Sequence, residues 1–198
     1  KQGKRKDGKD IEARRSNPEN ALGAPQENDT YNFVSLGFGG TLTMKLGEKV
    51  YDNGSIDPDF IVVETSFGRA NQKCFSNEEE RKGPRYPEEF TMEVSQDGKE
   101  WYNLSGLYCR TSFIDISEVA NKLDFVQYIR LTDATERRLH SNAADGFDVD
   151  GVIVCPDLVA EATGRLLDAR IASSGVKGWD PNFINRVPDD PFEITAEF

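Results

Sequence analysis

Three aspartates in residues 142–154 have the side-chain type and spacing of a metal site. Asp145, Asp148 and Asp150 lie beside a turn that runs into an apolar strand. Because alternate side chains of a strand share a face, Asp148 and Asp150 point one way while Phe147 and Val149 point into a core. Paired carboxylates repel each other unless a hard cation such as calcium, or a cationic side chain, neutralises them. The alternative is a solvated acidic edge that keeps the strand from aggregating.

No metal-binding loop of a known type surrounds these aspartates. An EF-hand loop needs oxygen ligands at its fifth and twelfth positions, yet a count from Asp148 places Val152 and Val159 there. The three cysteines form no C-x-x-C pair and His140 is the single histidine, which argues against a sulfur-based metal site. A calcium site would therefore combine ligands from distant segments.

The elements that must position these ligands are short strands. Alternation in residues 41–46 puts Leu42, Met44 and Leu46 on one face. Residues 33–36, 60–65, 113–116 and 125–132 also have strand patterns, and Asp97-Gly98 joins residues 90–94 to 100–104 in a tight hairpin. About seven or eight such strands without alternating helices predict an all-β fold, an antiparallel β-sandwich of the jelly-roll or immunoglobulin type.

The composition limits the size and the partners of this protein. A chain of 198 residues with 37% hydrophobic content suits one domain with extensions. The net charge is −11, although residues 1–15 hold seven basic and three acidic side chains. Such an acidic body disfavours nucleic acid, and the apolar runs are too short for membrane insertion. The basic residues 1–15 form either an arm for an anionic partner or a solvated loop.

Several motifs resemble a known family. The hairpin from Val94 to Trp101 and the strand from Tyr128 to Asp133 look like paired strands of discoidin-type, galactose-binding-like β-sandwich modules. Residues 15–25, 33–40, 59–64 and 144–150 resemble segments of modules in bacterial cell-surface and secreted proteins. The resemblance spans residues 15–156. It implies a calcium-stabilised surface module that binds carbohydrate or serves as a structural unit.

The resemblance carries the family's acidic signatures onto the strand that holds Asp59 and Glu64 and onto the strand that follows residue 144. Asp57 is an additional candidate, although Asp57 and Asp59 flank Pro58 in a turn, where Asp is also common as an amide cap. Glu64 needs a cation or hydrogen-bond partners if it is buried, and an arginine such as Arg130 is an alternative to calcium. The expected calcium ligands are Asp57, Asp59, Glu64, Asp145, Asp148 and Asp150.

Aromatic residues and cysteines supply two further expectations. A carbohydrate site needs exposed rings, and Trp179, Tyr86 and Tyr102 are the expected ligand-binding platforms, whereas Trp101 is expected in the core. In an extracellular setting the cysteines at positions 74 and 109 would form a disulfide and leave the one at position 155 buried; free thiols are the alternative.

The sequence therefore predicts a non-catalytic, calcium-binding module, extracellular or on a bacterial cell surface, that binds a glycan or cell-surface polysaccharide. The first alternative is a purely structural spacer whose partners are other domains of the same exported chain. The second is a glycoside hydrolase using Glu64 and Asp148, which no catalytic motif supports. The predicted boundaries are an arm or first loop at 1–15, the sandwich at 16–157, and an extension at 158–198 that docks on it or links to another domain.

Overall fold

Ten strands make up most of the regular structure in the part of the chain that the structure describes. The computed structural model describes residues 1–26, 31–65, 74 and 87–155, together with the backbone of a strand at residues 195–197. The strands are β1 (Val34–Ser35), β2 (Thr41–Val50), β3 (Phe60–Glu64), β4 (Glu89–Ser95), β5 (Tyr102–Asn103), β6 (Tyr108–Cys109), β7 (Ser112–Ile114), β8 (Val126–Asp133), β9 (Asp148–Val154) and β10 (Thr195–Glu197). Within the described part, 3-10 helices occur at Ala13–Arg15, Pro18–Ala21, Ser117–Val119 and Arg137–Leu139, and no helix there is long and apolar enough to span a membrane.

The strands form two antiparallel sheets, which confirms the predicted all-β sandwich. One sheet has the order β1-β9-β3-β7, and the other has the order β10-β2-β8-β4-β5, with β6 also paired to β4. The predicted hairpin is present, since β4 pairs with β5 across the turn that contains Gly98. The segment 117–122, which has a weak helical pattern, contains only the three-residue 3-10 helix Ser117–Val119.

The core lies between the inward faces of the two sheets. Leu42, Met44 and Leu46 of β2 are buried, as their alternation predicts. The rings of Phe90, on β4, and Phe147, just before β9, have centroids 4.4 Å apart and join the two sheets. Val149 follows the same inward face of β9 and is buried as predicted. The outward residues of β9 are therefore the aspartates at positions 148 and 150.

Residues 1–4 lie beside Thr41 and the loop between β1 and β2, and residues 5–26 run over the outer face of the four-stranded sheet. The amide of Lys6 donates to the carbonyl of Ala144 at 2.9 Å, and the side-chain amide of Asn20 donates to the carbonyl of Phe33 at 3.1 Å. Ala21 is fully buried against the sheet. Of the seven basic residues in 1–15, Arg5, Lys6 and Arg15 are half-buried in this cover, and the other four are exposed.

A glycine-rich loop between β1 and β2 receives the start of this cover. The amide of Gly3 donates to the carbonyl of Leu36 at 2.8 Å, and the amide of Phe38 donates to the carbonyl of Lys4 at 2.9 Å. A β-carbon on Gly40 would lie 1.8 Å from the Leu36 carbonyl oxygen and 2.6 Å from the Gly3 nitrogen. Only a glycine at position 40 lets these three backbone segments meet.

The cysteines adopt the disulfide alternative. Cys74 and Cys109 are joined, with their α-carbons 5.9 Å apart. Cys155 is a free thiol directly after β9 and is half-buried, so it is less enclosed than expected. The disulfide anchors residue 74 to β6, next to the position where β4 begins.

Candidate functional site

Three aspartates from two loops, the β2–β3 connection and the segment after β7, meet at one end of the four-stranded sheet. Asp52 follows β2, Asp59 precedes β3 and Asp115 follows β7. One carboxylate oxygen of each lies within 4.8 Å of the other two, and among the described residues this is the group of acidic, His and Cys side chains placed to share an ion. We call these three residues the three-aspartate site.

Strand pairing explains how the three-aspartate site forms. In the antiparallel pair of β3 and β7, Phe60 lies opposite Ile114, so the residues just outside this pair, Asp59 and Asp115, are brought together. The amide of Asp59 also donates to the carbonyl of Ile114 at 2.8 Å. The loop from β2 closes onto the same point, because the amide of Asn53 donates to Asp59 Oδ1 at 3.0 Å.

The middle carboxylate is buried and held in place by the backbone. Asp59 is 1% exposed, and its second oxygen, Oδ2, accepts the amide of Ile116 at 2.9 Å. Burial raises the pKa of Asp59, the two amides oppose the shift, and the negative charges of Asp52 and Asp115 add to it. An oxygen-liganded cation at this point would relieve the repulsion among the three carboxylates.

The expected ligand Asp57 lies in the same loop but outside this group. It is exposed, and its carboxylate accepts the hydroxyl of Ser55 at 3.1 Å, while its carbonyl accepts the side-chain amide of Asn53. These contacts are those of a turn-forming aspartate, which is the alternative that the sequence offered for this residue.

A second acidic group lies under the N-terminal cover, about the guanidinium of Arg15. Its Nη1 is 2.9 Å from Asp145 Oδ2, and its Nη2 is 2.7 Å from Asp148 Oδ2. The hydroxyl of Ser35, on β1, donates to Asp148 Oδ1 at 2.5 Å. We call Arg15, Ser35, Asp145 and Asp148 the Arg15 cluster. The cationic side chain that the sequence left open as a neutraliser is therefore Arg15.

Carboxyl groups outnumber the single guanidinium in and around the Arg15 cluster. Burial raises the pKa of Asp148 to about 8; Arg15 opposes this shift, and Asp145 and Glu64 add to it. Burial likewise raises the pKa of the half-buried Glu88, and repulsion by Asp148, Glu64 and Asp145 adds to the shift. The structure thus collects at least four carboxylates within electrostatic reach of one another.

Glu64 and Asp150 border this cluster with partners of their own. Glu64 Oε2 lies 3.9 Å from Arg110 Nη1, so the arginine beside it is Arg110 rather than Arg130, which pairs with Glu93 at 3.2 Å. Asp150 accepts the side-chain amide of Asn32 at 3.0 Å and the amide of residue 26, and burial raises its pKa to about 6. Asp148 and Asp150 share a face of β9, as predicted, but bind different partners.

The six expected calcium ligands therefore lie at different places, and their role as ligands stays a prediction. Asp59 belongs to the three-aspartate site and Asp57 lies in its loop. The other four lie on or beside β9: Glu64, Asp145, Asp148 and Asp150. Sequence reasoning missed Asp52, Asp115 and Arg15. Asp52 stands in the turn-rich segment that drew attention to Asp57 and Asp59, whereas the strand register that places Asp115 carries no local signal.

Of the three expected aromatic platforms, Tyr102 lies among the described residues. Tyr86 and Trp179 lie outside the described residues. Tyr102 is half-buried on β5, packs against the core, and has the ammonium of Lys122 5.7 Å from its ring centroid. Trp101 is half-buried and stacks against the guanidinium of Arg130 at 3.7 Å instead of joining the core. Glycan binding stays a prediction.

Comparisons with known proteins assign this chain to no family. Protein-family models, curated proteins and solved structures were compared with the chain, and none matches it. The resemblance to discoidin-type modules therefore rests on the sequence motifs alone.

Proposed function

We propose that this chain is a non-catalytic, exported β-sandwich module that holds one calcium ion at the three-aspartate site. The observation that carries the proposal is the meeting of Asp52, Asp59 and Asp115, whose carboxylate oxygens lie within 4.8 Å of one another at the end of a sheet. Three carboxylates from two loops form a hard, oxygen-only ligand set, which suits calcium better than the softer transition metals.

A structural role for the ion follows from where its ligands lie. Asp59 and Asp115 stand at the adjoining ends of β3 and β7, and Asp52 closes the loop that leads from the other sheet. An ion held by all three would tie this loop to the four-stranded sheet. The ion would therefore stabilise the folded module, because it binds the native arrangement and has no such site in the unfolded chain.

The carboxylates that could act as acid and base support a non-catalytic reading. The Asp148 side chain is 6% exposed, and its oxygens are engaged by Arg15 and by the hydroxyl of Ser35. The N-terminal cover lies between this carboxylate and solvent. A glycoside hydrolase needs its acid and base beside an open substrate site, so this packing favours a structural role for Asp148.

Export is supported by the disulfide between Cys74 and Cys109, since such bonds persist in oxidising environments and are rare in the cytosol. The proposed partners are other domains of the same exported chain and, on the predicted aromatic platforms, a glycan or cell-surface polysaccharide. Nucleic acid is not among them, because the net charge of −11 repels its phosphates.

Thermal unfolding tests the calcium proposal. At a hundredfold excess of calcium over its dissociation constant, the native state gains about 2.7 kcal/mol. For a chain of this size we expect the melting temperature to rise by roughly 5–10 °C and to fall back with excess chelator. The gain should be lost in Asp115→Asn and kept in Asp57→Asn, a matched control from the loop of the site. Identical melting curves with calcium and with chelator would refute the proposal.

A further inference from the structure

The long strand β2 has one edge that faces β8 and an outer edge on the opposite side. In the described residues, this outer edge is paired over only part of its length. On one side β2 pairs with β8 from Thr41 to Lys45. On the other side, three residue pairs join Thr43–Lys45 to β10, and Thr41 exchanges two 2.8 Å hydrogen bonds with Lys1, one in each direction.

The direction of the Thr41 hydrogen bonds shows which backbone groups face this edge. Because the nitrogen and oxygen of Thr41 both point to Lys1, alternation in an antiparallel strand turns those of Thr43 and Lys45 to the same side. These are the groups that face Glu197 and Thr195 in the register with β10. The β2 edge therefore presents regularly spaced donors and acceptors to an extended partner.

The other sheet edges in the described residues offer much less. The terminal strands β1 and β5 have two residues each, and β7 has three. Strand β2 has ten residues, so its edge is the one that can pair with a longer strand. A strand edge that is paired over only part of its length can bind an extended segment by continuing the sheet.

The strand that occupies the β2 edge comes late in the sequence, a long stretch of chain after β9. Residues 155–194 separate β9 from β10, and a chain of that length can span on the order of 100 Å when extended. The same connection can therefore reach the β2 edge of its own copy or of a neighbouring copy. Exchange of identical elements between copies needs no new contact and costs little.

We propose that the outer edge of β2 is a strand-docking surface, and that Thr195–Glu197 of a second copy occupies it when copies are crowded. The proposal does not depend on calcium. It assigns the edge a partner of defined chemistry, an extended segment of this same chain, and it joins neighbouring modules through the sheet. At low concentration the intramolecular strand has the advantage of its high effective concentration.

Disulfide trapping tests the exchange on the full chain. In a Cys155→Ser background, one preparation carries Thr43→Cys and a second carries Glu197→Cys, positions that the register pairs. Cα atoms of paired residues in adjacent strands lie within the range that a disulfide bridges. After mixing at high concentration and mild oxidation, we expect covalent heterodimers at least about tenfold above those from Thr43→Cys mixed with Ala196→Cys, which is out of register by one residue.

A chain that carries both Thr43→Cys and Glu197→Cys supplies the intramolecular reference, and we expect it to cross-link as a monomer when dilute. Equal heterodimer yields from the matched and mismatched pairs, or no heterodimer at all, would overturn strand exchange. Failure of the doubly substituted chain to cross-link would overturn the pairing of β10 with the β2 edge.

Discussion

At the scale of single residues, Arg15 decides how the acidic strand β9 is tolerated in the fold. Its guanidinium bridges Asp145 and Asp148, which lie on the turn before β9 and at its first position. The bridge also ties the N-terminal cover to the sheet. An arginine suits this position better than a lysine, because its planar group presents two nitrogens to two carboxylates at once.

Removing this guanidinium should be costly. We expect Arg15→Gln to destabilise the fold by about 3–5 kcal/mol, because it leaves buried carboxylates without their cation. Arg14→Gln is the matched control, since its ion pair with Glu12 joins two side chains that are more than half exposed, and such a pair contributes at most about 1 kcal/mol. Urea unfolding of both variants measures the difference. Equal losses in the free energy of unfolding would show that the buried Arg15 bridge stabilises the fold no more than the exposed Arg14 pair does.

The raised pKa values also predict how stability depends on pH. The pKa is about 8 for Asp148 and about 6 for Asp150, both above the ordinary aspartate value, so the folded state binds protons that the unfolded chain releases. Their stabilising contribution is complete below the unfolded pKa and is lost as pH rises through about 6 and about 8. The slope is about 1.4 kcal/mol per pH unit for each titrating group.

Urea unfolding at pH 5, 7 and 9 checks this dependence. We expect the free energy of unfolding to fall across the series, and the fall between pH 7 and pH 9 to be smaller in Asp148→Asn, which cannot titrate. Arg15, Glu64 and Asp145 surround Asp148 and share its response, so the variant flattens the curve without abolishing the slope. A free energy of unfolding that rises from pH 5 to pH 9 would contradict the raised pKa values of Asp148 and Asp150.

At the scale of elements, the loop between β1 and β2 sets how closely the N-terminal cover can approach. We expect Gly40→Ala to destabilise the fold by more than about 3 kcal/mol, because its β-carbon would lie 1.8 Å from the Leu36 oxygen. Gly39→Ala is the control: it has a φ of +68° but no atom within 4 Å, so it costs about 1–2 kcal/mol in backbone strain alone. Melting temperatures of the two variants give the comparison, and a smaller loss at Gly40 would contradict it.

Local patterns predicted the elements better than they predicted their pairing. The alternation of Leu42, Met44 and Leu46 and the Asp97-Gly98 turn located β2 and the hairpin, because a strand face and a tight turn are written in neighbouring residues. The pairing of β3 with β7 joins segments that are distant in the sequence. Its register therefore could not be predicted from local patterns, and neither could the proximity of Asp115 to Asp59.

At the scale of the whole molecule, two segments that are far apart in the sequence complete the sandwich. Residues 5–26 cover one sheet, and β10 extends the other. The cover explains why acidic residues on the outer face of β9 are buried, which alternation alone would place in solvent. Sequence reasoning could predict their common face, but the arginine that lies over them comes from the far end of the chain.

The calcium proposal places the cation at the three-aspartate site and not at the acidic strand β9. Calorimetric titration of calcium into the wild type, Asp115→Asn and Asp148→Asn tests it most directly. We predict one site per chain in the wild type, no measurable site in Asp115→Asn, and a site of nearly wild-type affinity in Asp148→Asn. Loss of the site in Asp148→Asn with retention in Asp115→Asn would contradict this placement and assign the ion to β9. Absence of calcium binding to the wild type would refute the calcium proposal itself.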